Sequence, residues 1–210
     1  MRGHEVLYSI KLVDWTKVNG NMTNEDSQDA AVQYIAGDSN LVQDRLDELA
    51  RLYAIDFVDP PLKGREFYSA ERFRERVLDQ YVKAPNFRIV IALASSAVVG
   101  FVYGCSLLEG SPWWNGLEEP LPKDMTRETG GRTFALLDLL VARSWRGQGI
   151  ASELHRRVLE GRPEERVTLL SSPPQMPAYA MWKHWGYEKV GQLKPAPDAN
   201  TLDAFLKPLE

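Results

Sequence analysis

The feature that most constrains the fold of this chain is an apolar segment that leads through two glycines into an amphipathic helix. Residues 134–141 are apolar except for Asp138, which predicts a strand in the middle of a sheet. Residues 147–159 then carry apolar side chains at a spacing of four, as in a helix that packs on a sheet by one face. A strand followed by such a helix indicates a mixed α/β architecture.

The turn between this strand and this helix has the properties of an anion-binding site. Gly147 and Gly149 allow the backbone to approach a ligand closely. The first amides of a helix have no partner within the helix and lie at the positive end of its dipole, so they attract a phosphate or pyrophosphate. Arg146 adds a positive charge at the same place. The pattern alone also allows a turn that only reverses the chain.

Two well-known nucleotide-binding motifs fit this turn less well. The dinucleotide fingerprint G-x-G-x-x-G would require a third glycine where the chain has Ser152. The phosphate loop G-x-x-x-x-G-K-[ST] would require a lysine that the segment lacks.

Hydrophobic spacing and turn residues predict the other elements. The further expected helices are residues 41–55 after a cap at Asn40, a helix that starts at a Ser69 cap, and residues 177–186. The expected strands are residues 6–13, 87–93, 98–108, 167–170, 187–193 and 201–206. The predicted fold class is α/β, with a mixed, mostly antiparallel central sheet of about six or seven strands flanked by helices.

Composition limits which cellular compartments and which kinds of partner are compatible with the chain. The net charge of −4 shows no basic surplus for nucleic acid, and one cysteine excludes an internal disulfide. The three histidines are too scattered to suggest a metal site. No secretory signal is visible, and no apolar run approaches the roughly 20 residues of a membrane span. We therefore expect a cytoplasmic protein without a metal, nucleic-acid or membrane partner, and the sequence leaves open whether it forms a homodimer.

Two segments of the chain resemble the signature motifs of the GNAT family of N-acetyltransferases. The first motif is Arg/Gln-x-x-Gly-x-Gly/Ala after a strand, and it is matched by Arg146, Gly149 and Ala151. The second is Asn-x-x-Ala-x-x-x-Tyr-x-x-x-Gly-Phe, and it is matched by Ala178 and Gly186, with Tyr187 in place of Phe. The resemblance covers residues from about 40 to 210, so residues 41–210 are expected to form the acetyl-CoA-binding domain and residues 1–40 an N-terminal strand with a polar extension.

The resemblance implies a fold, a co-substrate and a reaction. The fold would be that of the acyl-CoA N-acyltransferases, in which strands 134–141 and 167–170 splay apart and admit the pantetheine arm of acetyl-CoA. An amine would attack the acetyl carbonyl directly and expel the coenzyme A thiolate, without a covalent enzyme intermediate. The residues implied in cofactor binding are Leu139, Leu140, Val141, Arg146, Gly147, Gln148, Gly149, Ile150, Ala151, Ser152, Gln175 and Trp182.

The chain departs from the family pattern at the position of the usual proton donor. Trp182 stands where the family commonly has a Tyr, and an indole is not a proton source. Tyr179 lies three residues earlier on about the same helical face and is the candidate substitute, although it could equally be a surface residue. Gln175 replaces the Asn of the second motif.

Asp138 is the candidate catalytic base. It is a lone carboxylate in an apolar strand, where burial would raise its pKa towards that of a base. A structural hydrogen bond to a neighbouring loop explains the same residue. His155 lies off the apolar stripe of its helix and is expected to be exposed.

The long loop at residues 109–132 is expected to cover the acceptor site. Trp113, Trp114 and Glu118 are its candidate substrate contacts, because aromatic rings and carboxylates suit a cationic or aromatic amine. A solvated acidic loop that is held by one buried Trp is an equal alternative. The function predicted from the sequence is an acetyl-CoA-dependent N-acetyltransferase acting on a small molecule or a protein amino group. The alternative is a module of the same fold that binds acyl-CoA with little or no turnover.

Overall fold

A mixed sheet of seven strands forms the centre of the computed structural model, which describes residues 31–56, 66–171, 177–195 and 199–209. The strands are β1 (Gln33–Gly37), β2 (Arg88–Ala94), β3 (Ala97–Ser106), β4 (Thr133–Val141), β5 (Arg166–Ser171), β6 (Glu188–Leu193) and β7 (Leu202–Pro208). The helices are α1 (Ser39–Asp56), α2 (Ala70–Arg76), α3 (Lys123–Thr126), α4 (Ile150–Leu159) and α5 (Pro177–His184). The strand order is β1-β2-β3-β4-β5-β7-β6; β4 and β5 run parallel, and the other described neighbours pair antiparallel. The predicted fold class and the central place of residues 134–141 are confirmed.

Helices cover the sheet from both faces. Leu49 of α1 and Phe73 of α2 are buried on one face together with Phe101 of β3. On the other face, Leu154 of α4 adjoins Gly100 of β3. Because successive strand residues point to opposite faces, Phe101 and Gly100 assign the two helical layers to opposite sides of β3.

The starts of α1 and α2 test the two predicted caps. Ser69 caps α2, since its Oγ accepts a hydrogen bond from the Arg72 amide at 3.2 Å, and that prediction is confirmed. The predicted cap at Asn40 is wrong. The helix starts at Ser39, and the Asn40 amide donates to Asp38 Oδ1 at 2.9 Å. Asp38 precedes the helix and its carboxylate accepts a hydrogen bond from an amide of the first turn. Asn40 is therefore inside that turn and is not its cap.

Strand β1 is an element that the sequence analysis misses. The segment between the strand predicted at residues 6–13 and residue 40 is expected there to be a polar extension, and this is wrong for residues 33–37, which pair with β2 from Gln33–Leu93 to Gly37–Ile89. An edge strand with half-buried and exposed side chains shows little hydrophobic alternation, so its pattern resembles that of a loop. The strand predicted at residues 6–13 lies outside the described residues, and the division of the chain at residue 40 stays a prediction.

The strands predicted at residues 87–93 and 98–108 pair with each other as the hairpin of β2 and β3. Ser95 and Ser96 have φ values of 46° and 73°, so both central residues of the turn are left-handed. Positive φ at both positions is the mark of a type I′ turn, whose twist matches that of the flanking strands.

The helix α2 changes its winding before it ends. It continues as a π-helical turn over Val77–Tyr81. Such turns are rare and often occur at functional sites. The turn ends at Tyr81, which lines the cavity described below. None of the described helices is long and apolar enough to cross a bilayer.

Candidate active site

A split in the middle of the sheet separates β4 from β5. The two strands pair in parallel from Thr133–Arg166 to Leu136–Leu169. Beyond Leu136, β4 continues to Val141 and β5 to Ser171, but the described ladder between them has ended. β3 still pairs with residues 139–141, so the free side of β4 is the one that faces β5. The strands therefore diverge as the sequence analysis expects.

A β-bulge marks the start of this split. Tyr103 of β3 pairs with Asp138 of β4, whereas the next residue, Gly104, pairs with Leu136. Leu137 is thus an extra residue on β4. A bulge bends its strand and changes the direction of the side chains next to it. Leu137 and Asp138 both line the same cavity at this point.

The glycine turn at the end of β4 has unpaired amides that are open to a ligand. Gly147 and Gly149 have φ values of 76° and 81°, and a Cβ added to either would meet nothing within 4 Å. Their backbone conformation, and not close packing, requires glycine. Within the described part of the chain, no amide from residues 147–151 donates to a protein acceptor. Arg146 is fixed beside them, since its Nε donates to the Val141 carbonyl at 2.9 Å.

The structure brings most of the predicted cofactor residues together at the carboxyl end of β4. Leu139 is half-buried and Leu140 and Val141 are buried in the strand, while Arg146, Gly147, Gln148 and Gly149 are exposed in the turn. Ile150 is buried beneath the first turn of α4, Ala151 is half-buried and Ser152 is exposed. Gln175 lies outside the described residues.

Trp182 belongs to an aromatic cluster between α4 and α5. Its side chain is 6% exposed, and its ring centroid lies 5.3 Å from that of Trp185 and 5.5 Å from that of Tyr187. His155 joins this cluster with a ring centroid 4.5 Å from Trp185. Trp182 therefore packs in the core at the position of the family's usual Tyr, and it gives the site no hydroxyl group.

The predicted exposure of His155 is wrong. Its side chain is 8% exposed, and Nε2 is 2.8 Å from the Tyr187 hydroxyl. Burial, with a contribution from the positive charge of Lys207, lowers the pKa of His155 to about 4. The prediction fails because α4 is covered on two sides, by the sheet and by the aromatic cluster, whereas a single apolar stripe indicates one.

Asp138 lies beside a cavity of about 150 Å³ between the sheet and the α1/α2 layer. The Tyr103 hydroxyl donates a hydrogen bond to Asp138 Oδ2. Nearby, Arg76 Nη2 donates to the Tyr53 hydroxyl at 3.0 Å, and Nη1 donates to the Phe67 carbonyl at 2.7 Å. The cavity is lined by Tyr53, Phe67, Tyr68, Arg76, Tyr81, Trp113, Leu137, Asp138, Leu170, Pro195 and Leu202.

The hydroxyl groups around Asp138 stay protonated at neutral pH. Burial, and then the negative charge of Asp138, raise the pKa of Tyr103 well above its usual value and the pKa of Tyr81 to about 12. The same two causes raise the pKa of Tyr53. Burial opposes the charged form of Arg76, but Tyr53 and Asp138 outweigh it and raise the pKa of the guanidinium. The site thus combines one carboxylate, one fixed cation and neutral hydroxyl donors.

Four residues of this site are missed by sequence reasoning: Tyr53, Arg76, Tyr81 and Tyr103. In the sequence, Tyr53 and Tyr81 occupy the last positions of two apolar helical stripes. The available signal is that a buried Tyr carries a hydroxyl that needs a partner. Two such residues at the ends of neighbouring helices indicate a polar pocket rather than a plain core.

The structure brings only one of the three predicted acceptor contacts to this cavity. Trp113 lines it, and its Nε1 is buried without a partner in the described part of the chain. Trp114 is 7% exposed and its Nε1 donates to Glu128 at 2.9 Å, so it anchors the loop instead. Glu118 is exposed at another place, where it accepts a hydrogen bond from Thr201 at 3.0 Å. Trp114 and Glu118 do not line this cavity, because consecutive loop residues point in different directions, and their role as acceptor contacts stays a prediction.

Tyr179 lies on the opposite face of the sheet from Asp138. Its ring packs on Phe205 of β7, with centroids 5.2 Å apart, and burial together with the nearby Asp203 raises its pKa. The Asp138 cavity is lined by Leu202, which alternates with Asp203 and Phe205 along β7 and so points to the other face. The split between β4 and β5 lies between these two faces.

Comparison with known proteins places this geometry in a family. A model of the "Acetyltransferase (GNAT) family" matches residues 46–187. No curated protein sequence matches the chain. Ard1 from Thermoplasma volcanium is a similar solved structure, with 13% identity, a TM-score of 0.56, and coverage of 86% of this chain and 99% of that one.

Other similar structures contain acetyl-CoA or coenzyme A. NAA60 from Arabidopsis thaliana in complex with acetyl-CoA has 17% identity, a TM-score of 0.58, and coverage of 85% of this chain and 99% of that one. PaiA N-acetyltransferase from Thermoplasma acidophilum in complex with coenzyme A has 10% identity, a TM-score of 0.52, and the same two coverages, 85% and 99%. At these identities the likeness establishes the fold.

Proposed function

The chain belongs to the acetyltransferase (GNAT) family, which supports acyl transfer from coenzyme A, and from that membership we propose that it transfers an acetyl group from acetyl-CoA to an amine. The observation that carries the proposal is the split beyond Leu136 and Leu169, with unpaired amides at one end and the Asp138 cavity on one face. This arrangement offers a place for the cofactor and a separate place for the acceptor.

The free side of β4 would hold the pantetheine arm. Its amide groups would pair with the backbone of residues 139–141 as an added strand does. The pyrophosphate would then lie at the amides of residues 147–151, where the dipole of α4 favours negative charge. Arg146 is held at the edge of the same turn by its bond to Val141 and would add charge there.

Asp138 would bind the acceptor ammonium and take its proton. An amine with a pKa near 10.4 is mostly charged at neutral pH, so it must lose a proton before it can attack. The nitrogen then bonds to the acetyl carbonyl carbon, the carbon–sulfur bond breaks, and the nitrogen releases its second proton. In sum, one proton leaves through Asp138 and one reaches the sulfur. A thiol with a pKa of about 8.5 is a tolerable leaving group.

Tyr179 is the hydroxyl on the opposite face that we assign to protonation of the sulfur. Its raised pKa makes it a weak acid, so its help is limited. We expect a Tyr179→Phe variant to lose no more than about tenfold in kcat, equivalent to about 1.4 kcal/mol. A much larger loss would show that the thiolate cannot leave unaided.

Calorimetric titration with acetyl-CoA tests the cofactor site. We expect saturable binding at one site, strongly weakened by Arg146→Glu because the new carboxylate repels the pyrophosphate. Arg127→Glu makes the same change of charge at an exposed loop position and is the matched control, with unchanged affinity. If millimolar acetyl-CoA does not bind to the wild-type protein, the assignment is wrong.

Release of free coenzyme A thiol in the presence of amines tests the transfer. Amine-dependent release separates the acetyltransferase from the alternative, a coenzyme A-binding module with little turnover. The packing of Trp182 in the aromatic cluster, in place of a proton donor, is the observation that favours the alternative. Binding without release for any amine would decide for the module.

A further inference from the structure

The cavity beside Asp138 has walls that are mostly aromatic and apolar. Five of its lining side chains carry large aromatic rings: Tyr53, Phe67, Tyr68, Tyr81 and Trp113. Three leucines and one proline complete the apolar part of the wall. Among the described lining residues, the charged groups are Asp138 and Arg76. A ligand that fills this space must therefore be largely apolar, with one positive group near the carboxylate.

The cavity opens where the two central strands separate. Leu137 and Asp138 of β4 and Leu170 of β5 line it, and they come directly after the last pair, Leu136–Leu169. Under the proposed function, the acetyl thioester lies in this split. The group of the ligand that is next to Asp138 is then the nucleophilic amine, and the rest of the ligand extends between the aromatic rings.

The size of the cavity limits the body of the ligand to about one ring. A volume of about 150 Å³ is close to that of an engineered apolar cavity that binds benzene. Aromatic side chains prefer offset or edge-to-face contact with another ring, which adds to the burial of apolar area. A single aromatic ring on a short chain fits both the volume and the walls.

A second positive charge would find no second carboxylate among the described residues that line this cavity. Aromatic faces attract cations, but Arg76 already lies over the Phe67 ring, 4.2 Å from its centroid, and 5.9 Å from the centroid of Tyr53. Asp138 is the carboxylate among the described lining residues, and it would hold the reacting amine. A polyamine would have to place its second ammonium close to the Arg76 guanidinium, where like charges repel.

We infer that the acceptor is a primary arylalkylamine, an amine joined by a short chain to one aromatic ring and carrying no second charge. The inference rests on the proposed function, and it specifies the substrate class of the same site. A carboxylate on the carbon next to the amine would lie near Asp138 and weaken binding by repulsion.

Trp113 limits the length of the amine that can enter this cavity. Its indole borders both the small cavity and a more open cavity of about 510 Å³, which continues past Cys105 and Leu107. Tyr81, Leu137, Leu170 and Pro195 border both cavities too. Removal of the indole would take away the largest of the side chains that border both spaces. A variant with a small residue at position 113 should therefore accept amines with two fused rings.

Thiol release with four amines tests the substrate class. We expect kcat/KM for 2-phenylethylamine to exceed that for spermidine, for phenylalanine and for a peptide with a free N-terminus by at least about tenfold, the scale of one ring contact or one repelled charge. A higher value for spermidine, phenylalanine or the peptide would overturn the arylalkylamine inference and leave the proposed acetyltransferase in place.

If no amine is acetylated, a binding measurement still tests whether the cavity takes an arylalkylamine. That result would contradict the proposed transferase, and calorimetry of 2-phenylethylamine with the coenzyme A-bound protein would then judge the ligand class. We expect saturable binding that is weakened at least about tenfold by Asp138→Asn, since the ammonium loses its counter-ion. Absence of binding to the wild-type complex would overturn the inference.

A tryptophan variant tests the limit of length. In Trp113→Ala, the preference for 2-phenylethylamine over 2-(2-naphthyl)ethylamine should fall by about tenfold, because the space left by the indole admits the second ring. Trp185→Ala is the matched control: this residue is also half-exposed but belongs to the cluster around His155, and the preference should stay as in the wild type. An unchanged preference in Trp113→Ala would contradict the assignment.

Discussion

Two carboxylates, the buried Glu164 and the half-buried Asp138, are held in different ways. The side chain of Glu164 has no exposed surface, and both of its oxygens accept hydrogen bonds. Oε1 accepts from Ser106 and from Arg162, and Oε2 accepts from Arg162 Nε at 2.9 Å. Burial raises the pKa of Glu164, but the bonds from Arg162 and Ser106 outweigh it, so the pKa is lowered overall.

Asp138 has a more open arrangement. Tyr103 donates to one of its oxygens, and the carboxylate faces a cavity. The neighbouring cation, Arg76, donates two hydrogen bonds, to the Phe67 carbonyl and to the Tyr53 hydroxyl. A carboxylate near an arginine is therefore not by itself a sign of function. A closed pair such as Arg162–Glu164 joins parts of the fold, whereas a carboxylate that borders a cavity can also contact a ligand.

The largest expected effect on stability comes from removing one partner of the Arg162–Glu164 ion pair. Glu164→Ala leaves the Arg162 charge buried without compensation, which should lower the free energy of unfolding by about 3–5 kcal/mol. Urea denaturation measures the loss. The double variant Glu164→Leu with Arg162→Met is the control, and it should recover much of the stability because apolar replacement of a buried pair is often neutral. If Asp138→Asn destabilises as strongly as Glu164→Ala, the contrast between the two carboxylates fails.

His155 is another buried ionisable group, and the fold keeps its side chain neutral. Its folded pKa of about 4 lies below the value of 6.5 for a free His, so folding favours the uncharged ring. Its contribution to stability is complete above pH 6.5 and is lost as the pH falls towards 4, by up to about 3 kcal/mol. Unfolding of His155→Gln, which keeps a polar partner for Tyr187, should depend less on pH across this interval. Parallel curves for the two proteins would refute the prediction.

Asp138→Asn tests the open carboxylate directly. We expect kcat for thiol release to fall by about 10²-fold, equivalent to about 2.7 kcal/mol, because the ammonium loses its proton acceptor. Affinity for acetyl-CoA should change little, since the amides proposed to bind the pyrophosphate, at residues 147–151, come after the end of β4 and do not include Asp138. Steady-state kinetics across pH, with calorimetry of acetyl-CoA, separates the two effects. Equal turnover at every pH would make Asp138 a structural residue.

The smallest expected effect concerns the glycine turn. Gly149→Ala should cost about 1 kcal/mol of stability and weaken acetyl-CoA binding, because the residue has a φ of 81° that a side chain disfavours. Gly131→Ala is the control: a Cβ there also meets nothing within 4 Å, and its φ is not in the left-handed region. Both variants are compared by thermal unfolding and by calorimetry. Equal losses in the two would show that the φ of Gly149 does not matter.

Local patterns predicted the elements around the cofactor turn well. The apolar run at residues 134–141, the two glycines and the spacing of four in α4 are each contained in a short stretch of chain. The strand β1 was missed because an edge strand is half exposed. The Asn40 cap was placed wrongly because two neighbouring residues, Asp38 and Asn40, can both cap a helix, and only the backbone path decides between them.

The acceptor side of the site was less predictable. Asp138 was identified because a lone carboxylate in an apolar strand is unusual. Trp113 and Trp114 could not be distinguished, since adjacent loop residues with the same side chain have different surroundings. His155 was assigned to the surface because periodicity reports one covered side of a helix, and α5 covers a second.

The sequence by itself determined the succession of strand, glycine turn and helix at residues 134–159 and the carboxylate at position 138. These features depend on neighbours within a few residues, whose relation is fixed by the geometry of a strand, a turn or a helix. The tertiary structure alone decided that Tyr53, Arg76 and Tyr103 surround that carboxylate. These side chains come from two helices and another strand, and hydrophobic periodicity gives only the face of each element. The packing of the helices against the bulged β4 decides which residues of those faces meet.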